Sequence, residues 1–336
     1  MATVNERGPG AGERRFGGAR SSLAPVLRER RRWFAALRKN RLAMAGLALV
    51  LFILAIAVAA PLLAPPVGDG NPLEVPKDME RPALPKPPGA QGIIDGKTTT
   101  FIFGTGQYGE DIYYGIVWGA RTSLYISMAV VGAALLLGIA VGALAGYRGG
   151  LVDEVLMRLT DVFMALPALI MALAIVAVLG NSIENVILAL VITWWPAYAR
   201  IMRGQVMSVK NSGYVEAARA IGAGRGRILF RHIVPNSISP LMVQATMDIG
   251  MVVLVAAALS FIGFNHPDMA EWGRMVASGQ SYILSQVPYP YPDGAMHNPW
   301  WMWAIPGAFI FIMVMGFNLL GEGLRDAMDP RRVKRR

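Results

Sequence analysis

Four stretches of this chain run for 22 residues or more without a charged side chain: Leu42–Ala64 over 23, Thr122–Tyr147 over 26, and Val162–Ile183 and Trp300–Gly321 over 22 each. A helix needs about 20 apolar residues to cross a hydrocarbon core ~30 Å thick. Two further candidates are interrupted. Asn185–Ala199 continues into Arg200, whose long stem can snorkel to the interface, and Ile238–Phe264 is apolar except for Asp248. The pattern predicts an all-α membrane protein with six transmembrane helices. Composition agrees: 54% of residues are hydrophobic and only 16% charged, where soluble proteins carry about 25% charged residues.

Charge placement orients the spans. Eleven Lys/Arg fall between Arg7 and Arg41, five more crowd the last six residues, and another group lies between Arg200 and Arg231. Lys and Arg accumulate on the cytoplasmic side, so both termini are expected in the cytoplasm with the Arg148 turn and the Arg203–Arg231 loop. Outside fall residues 65–118, with four Lys/Arg against seven Asp/Glu, and residues 265–299, with one Arg against three acids. The expected divisions are a disordered basic head over 1–30, an amino-terminal module with the first span over 31–64, and a Pro-rich extracytoplasmic loop over 65–118. A five-span core follows over 119–325, containing a cytoplasmic loop at 208–235, and a basic tail closes the chain over 326–336.

The net charge of +10 does not indicate nucleic-acid binding, because the basic blocks alternate with apolar runs and no nucleic-acid motif accompanies them. There is no cysteine, which excludes disulfides and thiolate chemistry, and His232, His266 and His297 are too scattered for a metal site. A cleaved signal peptide is the alternative for the first run, since Ala57-Val58-Ala59 offers a small-x-small site. That run exceeds the roughly 7–15 residues of a signal core, and its basic lead is too long. A retained anchor is expected. The Arg14-Arg15-Phe16 pair lies too far from the run to act as a twin-arginine signal.

Residues 65–88 hold eight prolines and read as an extended, stiff loop. The second outer segment carries Tyr282, Tyr289, Tyr291, Trp300, Trp301 and Trp303, either as an aromatic belt at the headgroups or as a docking surface for an external partner. Two nucleotide motifs fail. Gly104-Thr105-Gly106-Gln107-Tyr108-Gly109 follows a strand-like Thr98–Phe103, but no βαβ unit is possible before the next span, and no acid stands at the required distance. Gly96-Lys97-Thr98 resembles the end of a P-loop, yet Gln91 occupies the place of its first glycine. No nucleotide site is therefore expected in this chain.

The loop between the fourth and fifth spans is the most informative segment. Tyr214–Gly222 is made of good helix formers and ends in a glycine break, and a second helical piece from Ile228 is interrupted by Pro235 and Pro240. Tyr214, Ala217, Ala218 and Ile221 fall on one face at i, i+3, i+4 and i+7. Such a helix suits insertion into a partner's groove. It can alternatively rest on anionic lipid through Arg219, Arg225, Arg227 and Arg231.

The run Glu216-Ala217-Ala218…Gly222…Ile233-Val234-Pro235 resembles the EAA loop of permeases in bacterial ABC importers, E-A-A-x3-G-x9-I-x-L-P, with His232 and Val234 at consensus Ile and Leu positions. Arg231–Asn236 looks like the R-H-I-L-P-N variant of the dipeptide/oligopeptide/nickel branch. Ala145–Gly150, Arg158–Pro167, Asn318–Pro330 and the amino-terminal module resemble that branch's "C" permease, and the likeness covers about residues 30–330. One motif departs: the family's G-T-D-x-x-G-R-D stands here as Gly104–Asp111, with Gly106 in place of the acid and Glu110 in place of the arginine.

The resemblance implies a type I ABC importer permease fold in a bacterial or archaeal plasma membrane. It implies a homologous second permease, two ATP-binding subunits and an extracytoplasmic solute-binding protein as partners. ATP and Mg²⁺ would bind the partner subunits, leaving this chain without cofactor or enzymatic activity. The coupling residues toward an ATPase cleft would be Tyr214, Glu216, Ala217, Ala218, Arg219, Ile221, Gly222, Ala223 and Arg225. Glu216 either contacts the ATPase or caps its own helix start; Ala217 and Ala218 permit close approach, and Gly222 permits the turn. Relatives carry peptides, nickel chelates or oligosaccharides; an ion-driven secondary transporter is the rival class, and a structural scaffold would leave the loop without a purpose.

Within the spans, Gly138, Gly142 and Gly146 form a double G-x-x-x-G ridge, read as helix packing in preference to pore lining. Arg158 and Asp161 are expected to pair locally. Asp248 either faces the translocation path, meeting a cationic group of the substrate, or pairs with a neighbouring helix.

Overall fold

In the computed structural model, which describes residues 38, 40–67, 71–79, 84–264, 269–284, 287–288 and 296–328, five helices are long and apolar enough to cross a bilayer. They are α1 (Arg41–Leu63), α2 (Ile112–Arg148), α5 (Ile183–Val209), α9 (Ser239–Phe261) and α11 (Trp301–Met328). Between α2 and α5 lie α3 (Gly150–Met164) and α4 (Ala168–Leu179), bent by 86° at their junction and supplying a sixth span if counted as one. Short helices fill the connections: α6 (Gly213–Ala220), α7 (Arg225–Ile228), α8 (Val234–Ser237) and α10 (Trp272–Gly279), with a π turn over Leu229–Ile233. The basic head, the last eight residues, His266, Tyr289 and Tyr291 lie outside the described residues.

Helix starts follow from capping. Asn40 Oδ1 accepts from the Leu42 and Ala43 N–H groups, and Asp111 accepts from those of Tyr113 and Tyr114, satisfying donors that a first turn leaves free. Asp111 thus starts α2 within the segment read as outer loop, and the helix runs for 37 residues. At 1.5 Å per residue that is about 55 Å, well beyond a bilayer's hydrocarbon thickness. Ser182 caps α5 in the same manner, so Ile183 belongs to α5.

The expected third span, Val162–Ile183, is not one helix. Val162–Met164 end α3, and Pro167 removes a backbone donor and disfavours helical geometry at Leu166, so the chain turns and α4 has only 12 residues. The expected Arg158–Asp161 pair is also absent. Asp161 turns away to accept from Arg200 Nη2 at 2.5 Å, joining α3 to α5. Arg200 is therefore an ion-pair partner, and α5 continues nine residues beyond it to Val209.

Packing is organised by missing Cβ atoms. A Cβ on Gly138 would strike Tyr198 and Ala199, one on Gly142 would strike Ala199 and Met202, and one on Gly146 would lie 2.8 Å from the Arg203 carbonyl. The glycine ridge therefore lies directly on α5. Gly46 of α1 fits likewise against α11, where a Cβ would lie 2.6 Å from Leu320 N. One buried cluster joins α2, α4, α5 and α9 through Val130, Ala172, Leu190 and Leu259; a second joins α1, α2, α9, α10 and α11 through Ile53, Ile116, Val253, Trp272 and Met313.

At one end, residues 71–79 and 84–111 form a cap. Strands β1 (Gln91–Ile94) and β2 (Lys97–Thr100) make an antiparallel hairpin, turned by Asp95 and Gly96 at φ 50° and 72°. Two positive φ values make this the type I′ geometry that Asp-Gly favours. Gly96-Lys97-Thr98 is thus a hairpin corner. Buried Lys86 pairs with Asp78 at 2.6 Å. Indole N–H groups bind this end together: Trp118 of α2 donates to the Ala64 carbonyl after α1, Trp272 of α10 to Ile116 of α2, and Trp301 of α11 to Thr105 of the cap, at 2.9, 3.0 and 3.2 Å. Buried Trp301 is a structural tie and not a belt residue.

The glycine ridge yields a test. Gly142→Val should cost about 1–3 kcal/mol through overpacking, whereas Gly132→Val, with nothing within 4 Å of its Cβ position, should be neutral. Thermal unfolding of the purified protein in detergent compares the two; equal melting temperatures would contradict this packing.

Candidate functional site

The segment joining α5 to α9 lies at the end of the bundle away from the cap. Its helix α6 follows Ser212 and spans eight residues. The end of α6 is a Schellman motif: Ala223 N–H donates to the Ala218 carbonyl at 3.1 Å and Gly222 N–H to Arg219 at 3.0 Å. Gly222 takes φ +82° with nothing near its Cβ position. It is therefore required for backbone conformation and not for space.

Of the four residues that the spacing placed on one face, suited to a partner's groove, only Ala218 packs on the bundle. Val215 and Ala218 are buried, while Tyr214, Ala217 and Ile221 are exposed, Ile221 by 85%. Val215 and Ala218 pack with Ala143 of α2, Met202 and Val206 of α5, Ile228, Leu229 and Ile233 of the following turns, and Leu241 of α9. The opposite face, with Glu216, Arg219 and the adjoining Arg225, is open. Glu216 caps nothing: its carboxylate accepts no hydrogen bond from the described residues, and the α6 start has no side-chain cap. Arg219 donates to the Lys210 carbonyl at 3.3 Å, and Lys210 Nζ donates to the Gly146 carbonyl at 2.8 Å, so the loop is tied to the end of α2. Beyond Gly224, Pro235 and Pro240 sit in the first turns of α8 and α9, where a missing N–H costs nothing.

Two ion pairs brace the same end. Arg203 makes a bidentate contact with Asp153, at 2.5 and 2.7 Å, alongside the Arg200–Asp161 pair. Deeper in the bundle, Asp248 on α9 is 8% exposed, and its Oδ1 accepts from Gln244 Nε2 at 2.9 Å. The buried Tyr198 hydroxyl of α5 points toward the same carboxylate without closing a well-formed hydrogen bond.

Residues 138–334 match the profile of the binding-protein-dependent transport system inner membrane component. The chain belongs to this family. Residues 30–76 of the permease match a second profile, the N-terminal TM domain of oligopeptide transport permease C. It is 37% identical to the dipeptide transport system permease protein DppC of Alkalihalophilus pseudofirmus over 89% of this chain and 88% of that one. It is 38% identical to the di/tripeptide transport system permease protein DppC of Pseudomonas aeruginosa, over 87% and 89%, and 36% identical to the oligopeptide transport system permease protein OppC of Bacillus subtilis, over 88% and 87%. A chain of the MetNI methionine ABC transporter in an inward-facing conformation superposes with a TM-score of 0.49 at 16% identity, covering 64% of the permease and 97% of that chain.

Sequence reasoning missed Val215 as the anchor of α6, although its i, i+3 spacing with Ala218 was available. It also missed Asp153–Arg203 and Lys210–Gly146, because partners 50 and 64 residues apart leave no local signal. Val215→Asp should unseat α6, since a buried, unpaired carboxylate is costly, and trypsin should then cut at Arg219 and Arg225. Ala217→Asp, on the open face, should leave the digestion pattern unchanged.

Proposed function

We propose that this permease is the "C" half of an ATP-driven peptide importer, working with a homologous second permease, two ATP-binding subunits and an extracytoplasmic solute-binding protein. The single observation that carries the reading is the geometry of α6. One face is bonded to three spans, and the other offers Tyr214, Glu216, Ala217, Arg219 and Ile221 to a partner. A displaced α6 would move the ends of α2, α5 and α9 together, as a packed two-state interface does. Glu216 would supply a polar contact to the ATPase, and Ala223 and Arg225 would border it. ATP and Mg²⁺ would be bound by the partner subunits.

Di- or oligopeptide cargo is supported by the curated relatives, whose names specify dipeptide, di/tripeptide and oligopeptide transport. Both termini and α6 would face the cytoplasm of a bacterial or archaeal cell, as the Lys/Arg bias requires. The cap and α10 would then face outward, toward the solute-binding protein. Asp248 would act through its neighbours on α9 and α5, or meet the cationic amino group of a peptide once partner movement opens the path. The glycine ridge would hold α2 and α5 together through that movement.

Three experiments test this. Gly222→Pro fixes φ near −65°, incompatible with the observed +82°, so uptake of labelled dipeptide should be lost while the complex stays inserted. Normal uptake would remove the coupling role of α6. The wild-type complex extracted in detergent should bring down a second permease and ATPase subunits with vanadate-sensitive activity; transport by this chain alone in liposomes would overturn the reading. Asp248→Asn should lower peptide uptake if the carboxylate meets the substrate, and unchanged uptake for every peptide tried would leave it a packing residue.

A further inference from the structure

The cap holds a chain of ionisable groups that transport coupling does not use. Glu110, just before α2, is 6% exposed, and its Oε1 accepts from Arg274 Nη1 of α10 at 2.9 Å. Arg274, 8% exposed, also donates through Nε to the Met269 carbonyl at 2.9 Å. Three residues earlier, Glu271 precedes the first turn of α10, and its Oε2 accepts from Ser260 Oγ of α9 at 2.5 Å. Glu271 keeps some solvent contact yet lies deep among protein atoms, and it borders a water-sized cavity with Ser123 of α2.

Both departures from the G-T-D-x-x-G-R-D pattern meet at this point. Gly106 does not adopt positive φ, so its backbone does not demand glycine. A Cβ there would lie 2.9 Å from Glu110 Oε2. Gly106 therefore makes room for the Glu110 carboxylate, which reaches across to Arg274 on a different segment. The two changes act as one.

Two carboxylates thus compete for one guanidinium. We propose that Glu110, Arg274 and Glu271 form a proton-responsive latch between the cap and α9. With Glu271 protonated, Arg274 is held by Glu110 and the cap is closed; ionised Glu271 draws the same guanidinium and loosens residues 104–112.

Burial raises the Glu271 carboxyl from 4.5 to about 7, against the lowering effects of the Ser260 hydrogen bond and the Arg274 charge. A raised folded-state value means that stability is fully present below about 4.5 and is lost as pH rises through about 7. Among the described residues, the other groups facing this cluster are few. The cap supplies Lys77, whose backbone bridges Glu110, Glu74, whose backbone bridges Met269, and Asp78 beside Gly109. The start of α2 supplies Asp111, raised to about 6 by burial against two backbone hydrogen bonds, with Tyr113, Tyr114 and Arg121, the last over the Trp118 ring at 5.2 Å. From α9 comes Ser260, with no charged residue between Ile249 and Phe261; α11 has none between Trp301 and Gly321, and α10 adds only Arg274.

The test is amide hydrogen exchange of the purified importer complex in detergent, where both faces are open, so the outcome does not depend on the proposed orientation or cargo. Exchange in residues 104–112 is compared between wild type and variants at each pH from 5.5 to 8.5, which cancels the intrinsic pH dependence. Wild type should lose protection with a midpoint near 7. Glu271→Gln should abolish that step, leaving any step from Asp111 near 6. Glu110→Gln removes the closing ion pair, so exchange in residues 104–112 should be fast at every pH, with no step near 7. A wild-type-like step in Glu271→Gln would overturn the latch. Should that variant fail to assemble, a wild-type-like step in Glu110→Gln would overturn it equally, and loss of the step would support it.

Discussion

The approach of α2 to α5 over Gly138, Gly142 and Gly146 is the contact on which the bundle is built. Lipid tails are as apolar as leucine, so burying leucines gains little between spans; close van der Waals contact over small residues carries the association. Here the absent Cβ atoms let the backbone of α2 reach the carbonyls of Ala199 and Arg203. Because α2 starts under the cap at Asp111 and ends beside Lys210, this seam links the cap to the α6 loop within one helix. A bulky side chain anywhere along the ridge would separate not only two helices but two functional regions.

The ion pairs beside this seam do a different task. The Arg200–Asp161 side chains are about half exposed, and such pairs contribute about 0–1 kcal/mol. Their value lies in register. Asp153 and Asp161 are eight residues apart on α3, and Arg203 and Arg200 are three apart on α5, so the two bonds together fix the angle at which α3 crosses α5. A single pair would permit rotation about one contact, and the bidentate Arg203 fork removes that freedom.

What the sequence made legible was whatever is local. Uncharged runs located the spans, and the glycine break after Ile221 ended α6. Long-range partners were not legible. Nothing near Asp161 signals Arg200, and Arg158, one turn away, offered a plausible local partner that the fold does not use. The break at Pro167 was visible as a residue, but the hydropathy of Val162–Ile183 outweighed it, since composition does not distinguish a straight span from a bent pair. The Asp95-Gly96 turn was likewise available and was obscured by its likeness to a nucleotide motif. Glu216–Pro235 shows the converse case: its pattern identified the family, and three of the four residues on its spacing face, Tyr214, Ala217 and Ile221, are exposed while Ala218 is not.

The turn of Ala218 toward the spans, away from Tyr214 and Ile221, has a physical reason. A spacing of i, i+3, i+4 and i+7 marks residues that can share a face, but in an eight-residue helix bounded by a turn on each side, seating is decided by where the flanking chain holds it. Lys210 on Gly146 and the Schellman closure at Gly222 fix both ends of α6. With the ends held, only Val215 and Ala218 reach the cluster around Met202 and Val206. Tyr214 and Ile221 must then point away, although apolar side chains of that size gain most from burial. A helix that keeps its two largest apolar residues exposed while burying Val215 and Ala218 is poorly optimised as an isolated element. A partner surface covering them would remove that cost, as the proposed ATPase contact would do, while the buried face attaches α6 to the spans.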